Sequence, residues 1–321
     1  MRRSVGVVCL AVAGTLGCSD SVTEPESGAP ALAAVRTAAM VRTPVTGRPF
    51  GAAVTAGGLV YVGRQDDDRL TRFDLPNTAA NGEVIVGRDP GDIAFEPSAQ
   101  RAFVTHVLGV DVGVVDVATG TMTTTIPTGP NPFRVLVSPN GSLIYVTNAT
   151  GNLMVFDATT LAPVNTVFSG SVANGLAVNA SGSFVYVSSA GSGLVTEHTA
   201  NGTATGRMFT LGGVPQDIWY APNGDLWVAN EVGRIDVIRP STGQQGSIPL
   251  SCGAFGLRGV NAGQKVVVTC PAAGLVLVIR RSDRRLMQTL AVGGTPRRIA
   301  QDPGTQTIIV PNEGNWVDFI R

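Results

Sequence analysis

Apolar positions in this sequence fall in short dense runs. Runs of four to six residues rich in Val, Ile and Thr, such as "LIYVT" at 143–147, are separated by stretches carrying Gly, Pro, Asn and Asp. β-Branched and aromatic residues suit a pleated, packed surface, and Gly and Pro break it. The pattern therefore predicts strands joined by turns. No long window places apolar residues at helical spacing. The hairpin formed by 143–147 and "LMVF" at 153–156 is marginal alone in water, so other strands must cover it.

That cover is supplied by repetition. Aligned on the second residue of "NPF" at 131–133, the equivalent positions are Pro49, Pro90, Pro132, Ala173, Pro215, Ala254 and Pro296, spaced by 41, 42, 41, 42, 39 and 42 residues. Each unit opens with a strand such as "RVLVS" or "DIWYA". A turn follows, clearest in "SPNGS" at 138–142 and "APNGD" at 221–225. There Pro presets φ and Gly supplies the positive φ of a tight hairpin. A second and a third strand come next ("LIYVT", "LMVFD"), then a fourth ending in Gly or Ser. Four antiparallel strands recurring every ~40–45 residues predict an all-β, seven-bladed β-propeller in which neighbouring blades cover each other's faces. The last unit stops at Arg321 after its third strand, while "RTAAMVRTPVTG" at 36–47 has the form of a fourth strand ahead of the first unit. Residues 36–47 are expected to pair with the last blade and close the ring, protecting its edges.

The first residues have a different character. Arg2 and Arg3 precede an apolar stretch from Val5 to Leu16 and then Gly17-Cys18, the order of an export signal and too short to span a bilayer as a permanent helix. The segment after it, "SDSVTEPESGAPALAAV", is polar, small and Pro-containing, and buries too little apolar surface to fold. The expected organisation is an export signal at 1–17, an anchor cysteine and disordered tether at 18–35, and a propeller at 36–321.

Composition excludes one class of partner. The chain is 44% hydrophobic and 14% charged, its net charge is zero, and Lys265 is its only lysine, so no basic stripe is available for phosphates and nucleic-acid binding is not expected. Cysteine use adds a further expectation. Cys252 precedes strand one of the sixth unit and Cys270 ends strand two of the same unit, at the same end of adjacent strands. In an exported compartment the two are expected to form a disulfide.

Two resemblances add to this reading. Tyr145-Val146-Thr147-Asn148 spells the motif of the YVTN β-propeller repeat family, and "VVDVATG" at 114–120 and "VFDATT" at 155–160 match the stretch that follows it there. This resemblance covers roughly residues 36–321 and implies a seven-bladed propeller. Related propellers include surface-layer proteins, lactonase-like enzymes and domains of redox enzymes, so it leaves function open. Cys18 after Gly17 resembles the lipobox of bacterial lipoproteins, with Thr15 and Leu16 departing from the usual residues before the cysteine. It implies lipidation at Cys18 and an outer-membrane or periplasm-facing position in a host with an outer membrane.

By topology, the start of strand one and the end of strand two share one face, and the propeller resemblance places functional groups at the central mouth of that face. Nearest the axis, the starts of strand one carry Gly51, Asp92, Arg134, Gly175, Asp217, Gly256 and Arg298. Asp92, Arg134, Asp217 and Arg298 are the candidate ligand-binding residues, a mixed-sign set suited to a zwitterionic or polar ligand. Alternatively, Asp92 and Arg134 on adjacent blades simply pair. His106, at the end of strand two, is the candidate general base. His198 falls at the repeat position of Asp157, on the opposite face. Asp66, Asp67 and Asp68 in "RQDDDRL" are candidate ligands for a divalent cation, or else a solvated acidic loop. Asn148, Asn230 and Asn312 recur at one repeat position, as do Asp74, Asp116 and Asp157 at another, which favours turn closure over chemistry. No cofactor motif is present. The leading expectation is a monomeric, lipid-anchored, extracytoplasmic binding scaffold for a protein, glycan or other cell-envelope component, without catalysis. The alternative is a lactonase- or lyase-like enzyme using His106, Asp92 and Asp217.

Overall fold

The computed structural model describes residues 39–321; the expected export signal, Cys18 and the tether lie outside the described residues. Seven four-stranded antiparallel sheets follow one another along the chain. The third, Pro132–Val137, Leu143–Asn148, Asn152–Asp157 and Pro163–Phe168, is representative. In the seventh, Ala300–Gln301, Ile308–Asn312 and Trp316–Ile320 are completed by Met40–Pro44 from the other end of the chain. That strand runs antiparallel to the third strand, from Met40 opposite Ile320 to Pro44 opposite Trp316. The expected closing strand is thus in place.

The dense apolar runs follow from burial on both faces of each sheet. In the second strand of the third blade, Ile144 and Val146 pack against Phe103, Val112 and Ile126 of the second blade. Tyr145, one residue out of phase, packs against Leu176, Val185 and Val187 of the fourth. Alternate side chains serve opposite interfaces, so strand two has no polar face and reads as continuous apolar sequence. One hydrophobic cluster fills each of the seven blade interfaces. The interface between last and first blades joins Ile309, Val317 and Phe319 to Val60, Val62 and Phe73, with Val45 of the closing segment. Fourth strands lie outermost and are largely exposed.

The Thr and Asn of the repeat motif have separable structural jobs. The Thr269 hydroxyl accepts from its own blade's Gly256 N–H at 2.8 Å and donates to Arg297 of the next blade at 2.6 Å. Thr147 likewise donates to Asn174 of the next blade at 2.8 Å. Asn312 donates to Gly293 at 2.9 Å and accepts from Thr295 at 2.7 Å, tying the end of strand two to the incoming connection from the previous blade. Asn230 does the same with Gly212 and Val214. Asp157 accepts from the backbone N–H groups of Thr159 and Thr160 and caps its turn.

Cys252 and Cys270 form the expected disulfide, 18 residues apart with Cα atoms 5.8 Å apart. It closes a short loop in the sixth blade, so replacing both cysteines with serine is expected to cost about 3 kcal/mol by the chain-entropy argument. Urea unfolding measures this, alongside alkylation showing neither thiol reactive before reduction.

Candidate functional site

Strand one of each blade runs beside the axis, and a register shift near its start turns side chains toward the centre, as between Pro90 and Ile93 or Pro215 and Ile218. At the inward position the first, fourth and sixth blades carry Gly51, Gly175 and Gly256. A Cβ on Gly51 or Gly256 would collide with the carbonyl oxygen of Gly91 or Arg297 in the next blade, so close approach of strands demands glycine. The other four blades that depart from glycine supply Asp92, Arg134, Asp217 and Arg298, and the fold brings all four together.

Arg134 reaches across the ring. One guanidinium nitrogen lies 3.1 Å from an oxygen of Asp92 on the adjacent blade, the other 2.8 Å from an oxygen of Asp217 two blades away. The second oxygen of Asp217 lies 3.4 Å from Arg298. Arg298 in turn reaches Asn174 of the fourth blade at 3.4 Å. Both aspartates also accept backbone N–H groups of the following blade, Val135 for Asp92 at 3.1 Å and Leu257 for Asp217 at 3.2 Å. These groups are buried; the Asp217 side chain is 3% and the Arg298 side chain 1% exposed. Burial alone would pull the Arg134 pKa down, but Asp217 and Asp92 outweigh it and hold the guanidinium above its usual value. Arg298, desolvated more heavily and facing Arg134, is pushed down to about 10.

The expected mouth, on the face where strand one starts, is covered. Phe50, Phe133 and Phe255 come from the first, third and sixth blades, yet their rings meet across the axis in edge contacts at 6.4 and 5.9 Å. Arg298 lies against Phe133 and Phe255, and Arg297 against Phe50 and Phe255. Open space lies on the other side of the ionic layer, where a 360 Å³ cavity is lined by Asp92, Arg134, Arg258 and apolar residues of strand one. A 740 Å³ cavity shares Val54, Val178 and Arg258 with it and reaches the turns between strands one and two at Pro222, Gly263 and Pro303. The central cavity therefore opens on the face opposite to the expected one, because the rings of Phe50, Phe133 and Phe255 fill the axis where strand one starts.

His106 is buried in the loops of the second blade. Its Nε2 accepts the Gly87 N–H at 2.9 Å, so the proton sits on Nδ1, which donates to Asp111 at 2.6 Å. Both ring nitrogens are engaged, and no hydrogen bond joins His106 to the axial four. The three aspartates at 66–68 diverge: Asp66 pairs with Arg48 at 3.4 Å, Asp67 with Arg64, and Asp68 accepts the Asp89 N–H at 3.0 Å. Among the described residues, no group of three or more His, Cys, Asp or Glu side chains is placed to hold a metal ion. His198 requires a correction. It pairs with Val185 as Phe156 pairs with Ile144, so it matches Phe156, and Thr199 matches Asp157. One extra residue in the loop Ala190–Gly193 shifts the sequence alignment. The ring is buried between Ser169 at 3.1 Å and Thr196 at 3.0 Å.

Two features escaped the sequence reading. Phe50, Phe133 and Phe255 recur one residue before the candidate ring, a signal that was visible. Arg258 stands where strand one elsewhere carries Ala53, Ala94, Leu136, Ala177, Trp219 or Ala300, a lone charge in an apolar register. Desolvation by the surrounding blades and the neighbouring Arg134 depress its pKa, although its side chain stays exposed to the cavity.

No protein-family model matches this chain, and no curated protein matches its sequence. Among solved structures, a chain of Kuenenia stuttgartiensis hydrazine synthase is similar, with a TM-score of 0.80, 18% identity, and coverage of 88% of this chain and 97% of that one. At that identity the likeness carries the propeller fold alone.

Proposed function

We propose that this chain is an exported, lipid-anchored β-propeller of YVTN type that serves at the cell envelope as a binding body and performs no chemistry. The observation that supports this best is the mutual neutralisation of the axial charges. Asp92 and Asp217 are each held by an arginine and a backbone N–H, an arrangement that occupies the carboxylate oxygens with fixed partners rather than leaving them to meet a substrate. His106 has no free nitrogen for a base. The disulfide fits an oxidising compartment. In this reading Asp92 and Arg134 form the floor of the central cavity, with Asp217 and Arg298 supporting them from beneath.

Two measurements test the proposal. Fatty-acid labelling in an expressing bacterium is expected to mark the wild type and to be lost in Cys18→Ser. The soluble body from residue 34 is expected to retain a specific protein or glycan from envelope extract, and to show no turnover of lactones. Lactone hydrolysis that disappears in His106→Gln and Asp92→Asn would instead establish the enzymatic alternative.

A further inference from the structure

We infer that the central cavity binds a small monocarboxylate whose body is apolar or aromatic, with Arg258 as the group that meets the carboxylate. The inference starts from charge. Around the axis, the guanidinium groups of Arg134, Arg258 and Arg298 face the carboxylates of Asp92 and Asp217, which leaves one positive charge uncompensated. The four other members pair among themselves. Arg258 has no ion pair or hydrogen bond from its side chain among the described residues; it lines both cavities and stays exposed to the solvent that fills them. An unpaired guanidinium beside a second arginine in a concave site offers its whole hydrogen-bonding fork, and a local excess of positive charge, to an anion that enters.

The surroundings narrow the anion. A guanidinium presents a planar fork that matches a carboxylate through two parallel hydrogen bonds. A single excess positive charge fits a monoanion better than a dianion. Walls away from Arg258 are apolar, from Val54, Ala94, Phe95, Val178 and Ile299, with Trp219 and Tyr220 toward the opening. They suit a hydrocarbon or aryl body that leaves water while its carboxylate stays on the floor. The donors buried just beneath, Nε of Arg134 and Nε of Arg298, also lack partners, which strengthens the positive potential at that floor.

Arg258 is a ligand-binding rather than a structural residue on one further ground. The corresponding position in four other blades is alanine, at Ala53, Ala94, Ala177 and Ala300. The backbone there tolerates a small side chain, so Arg258→Ala is expected to fold with a melting midpoint at or above that of the wild type.

The inference rests on the binding reading of this cavity, and its test separates the two. Calorimetric titration of the full chain with hydrocinnamate and octanoate is expected to show saturable binding at one site. The neutral amide, hydrocinnamamide, and inorganic phosphate are expected to bind far more weakly. Arg258→Ala should weaken hydrocinnamate at least about thirtyfold, and Arg258→Lys should recover part of the loss. Val178→Trp, which fills the cavity and leaves every charge in place, should abolish binding while the protein stays folded. Equal binding of acid and amide, or unchanged affinity in Arg258→Ala, would overturn the carboxylate assignment while leaving a binding cavity. Absence of binding by acid and amide alike would overturn both the assignment and the ligand role of the cavity.

Discussion

A chain beginning at Phe50 is expected to melt at least about 10 °C below one beginning at Ala34 and to associate through its open edge. The difference is the strand Met40–Pro44, which closes the seventh sheet. Its removal has three consequences. Five register pairs with Trp316–Ile320 are lost, and an edge strand is opened to other chains. Val45 leaves the cluster between last and first blades, costing roughly 1.5–3 kcal/mol. Arg42, which bonds Asp318 at 2.8 Å and stacks on Trp316 at 4.2 Å, is removed from a carboxylate that is fully buried. Arg42 is itself 40% exposed and Asp318 keeps the Trp316 N–H, so the lost pair contributes about 1–2 kcal/mol beyond the strand's own hydrogen bonds. Together these exceed about 4 kcal/mol, and each kcal/mol moves the midpoint of a domain this large by about 2–4 °C. Differential scanning calorimetry and size-exclusion chromatography read both effects; equal midpoints would refute closure by this strand.

The second large effect is expected at Asp217. Its carboxylate serves Arg134, Arg298 and the Leu257 N–H at once. Asp217→Asn keeps the shape and removes the charge, so Arg298 is left buried without a carboxylate and Arg134 keeps only Asp92. A loss of about 3–5 kcal/mol is expected. Asp92→Asn should cost less, because Arg134 then still holds Asp217. A catalytic carboxylate in a self-sufficient scaffold would behave in the opposite way, with stability retained and turnover lost. Urea unfolding with an unchanged slope distinguishes loss of stability from loss of compactness.

How far the sequence reveals these things depends on their range. The blades were legible because each is a local object: strand, turn and strand lie within about 40 residues, and the same apolar and turn residues recur seven times. Even the closing strand was legible, from a final unit that lacks its fourth strand. The inward residues Asp92, Arg134, Asp217 and Arg298 stood out because they break the repeat. Their mutual geometry did not, since it depends on the diameter of the ring and on how far each arginine extends. The blocking of one mouth by Phe50, Phe133 and Phe255 has the same origin: rings from non-adjacent blades meet only across the axis. His198 shows the limit of alignment within a repeat. A single added residue in a loop moves a side chain from a turn position into the core. Arg258 was passed over because "GLRGV" reads as an ordinary strand until it is compared, position by position, with its six counterparts.

Mutual dependence of the axial charges is tested most directly by a double-mutant cycle on Asp217 and Arg298, with Asp217→Asn, Arg298→Met and the combined variant compared by equilibrium urea unfolding. If the two groups hold each other, Asp217→Asn is the most damaging single change, and the combined variant recovers at least about 1 kcal/mol relative to the sum of the singles. Strictly additive losses, or an Asp217→Asn protein as stable as the wild type, would contradict an axis built to neutralise itself.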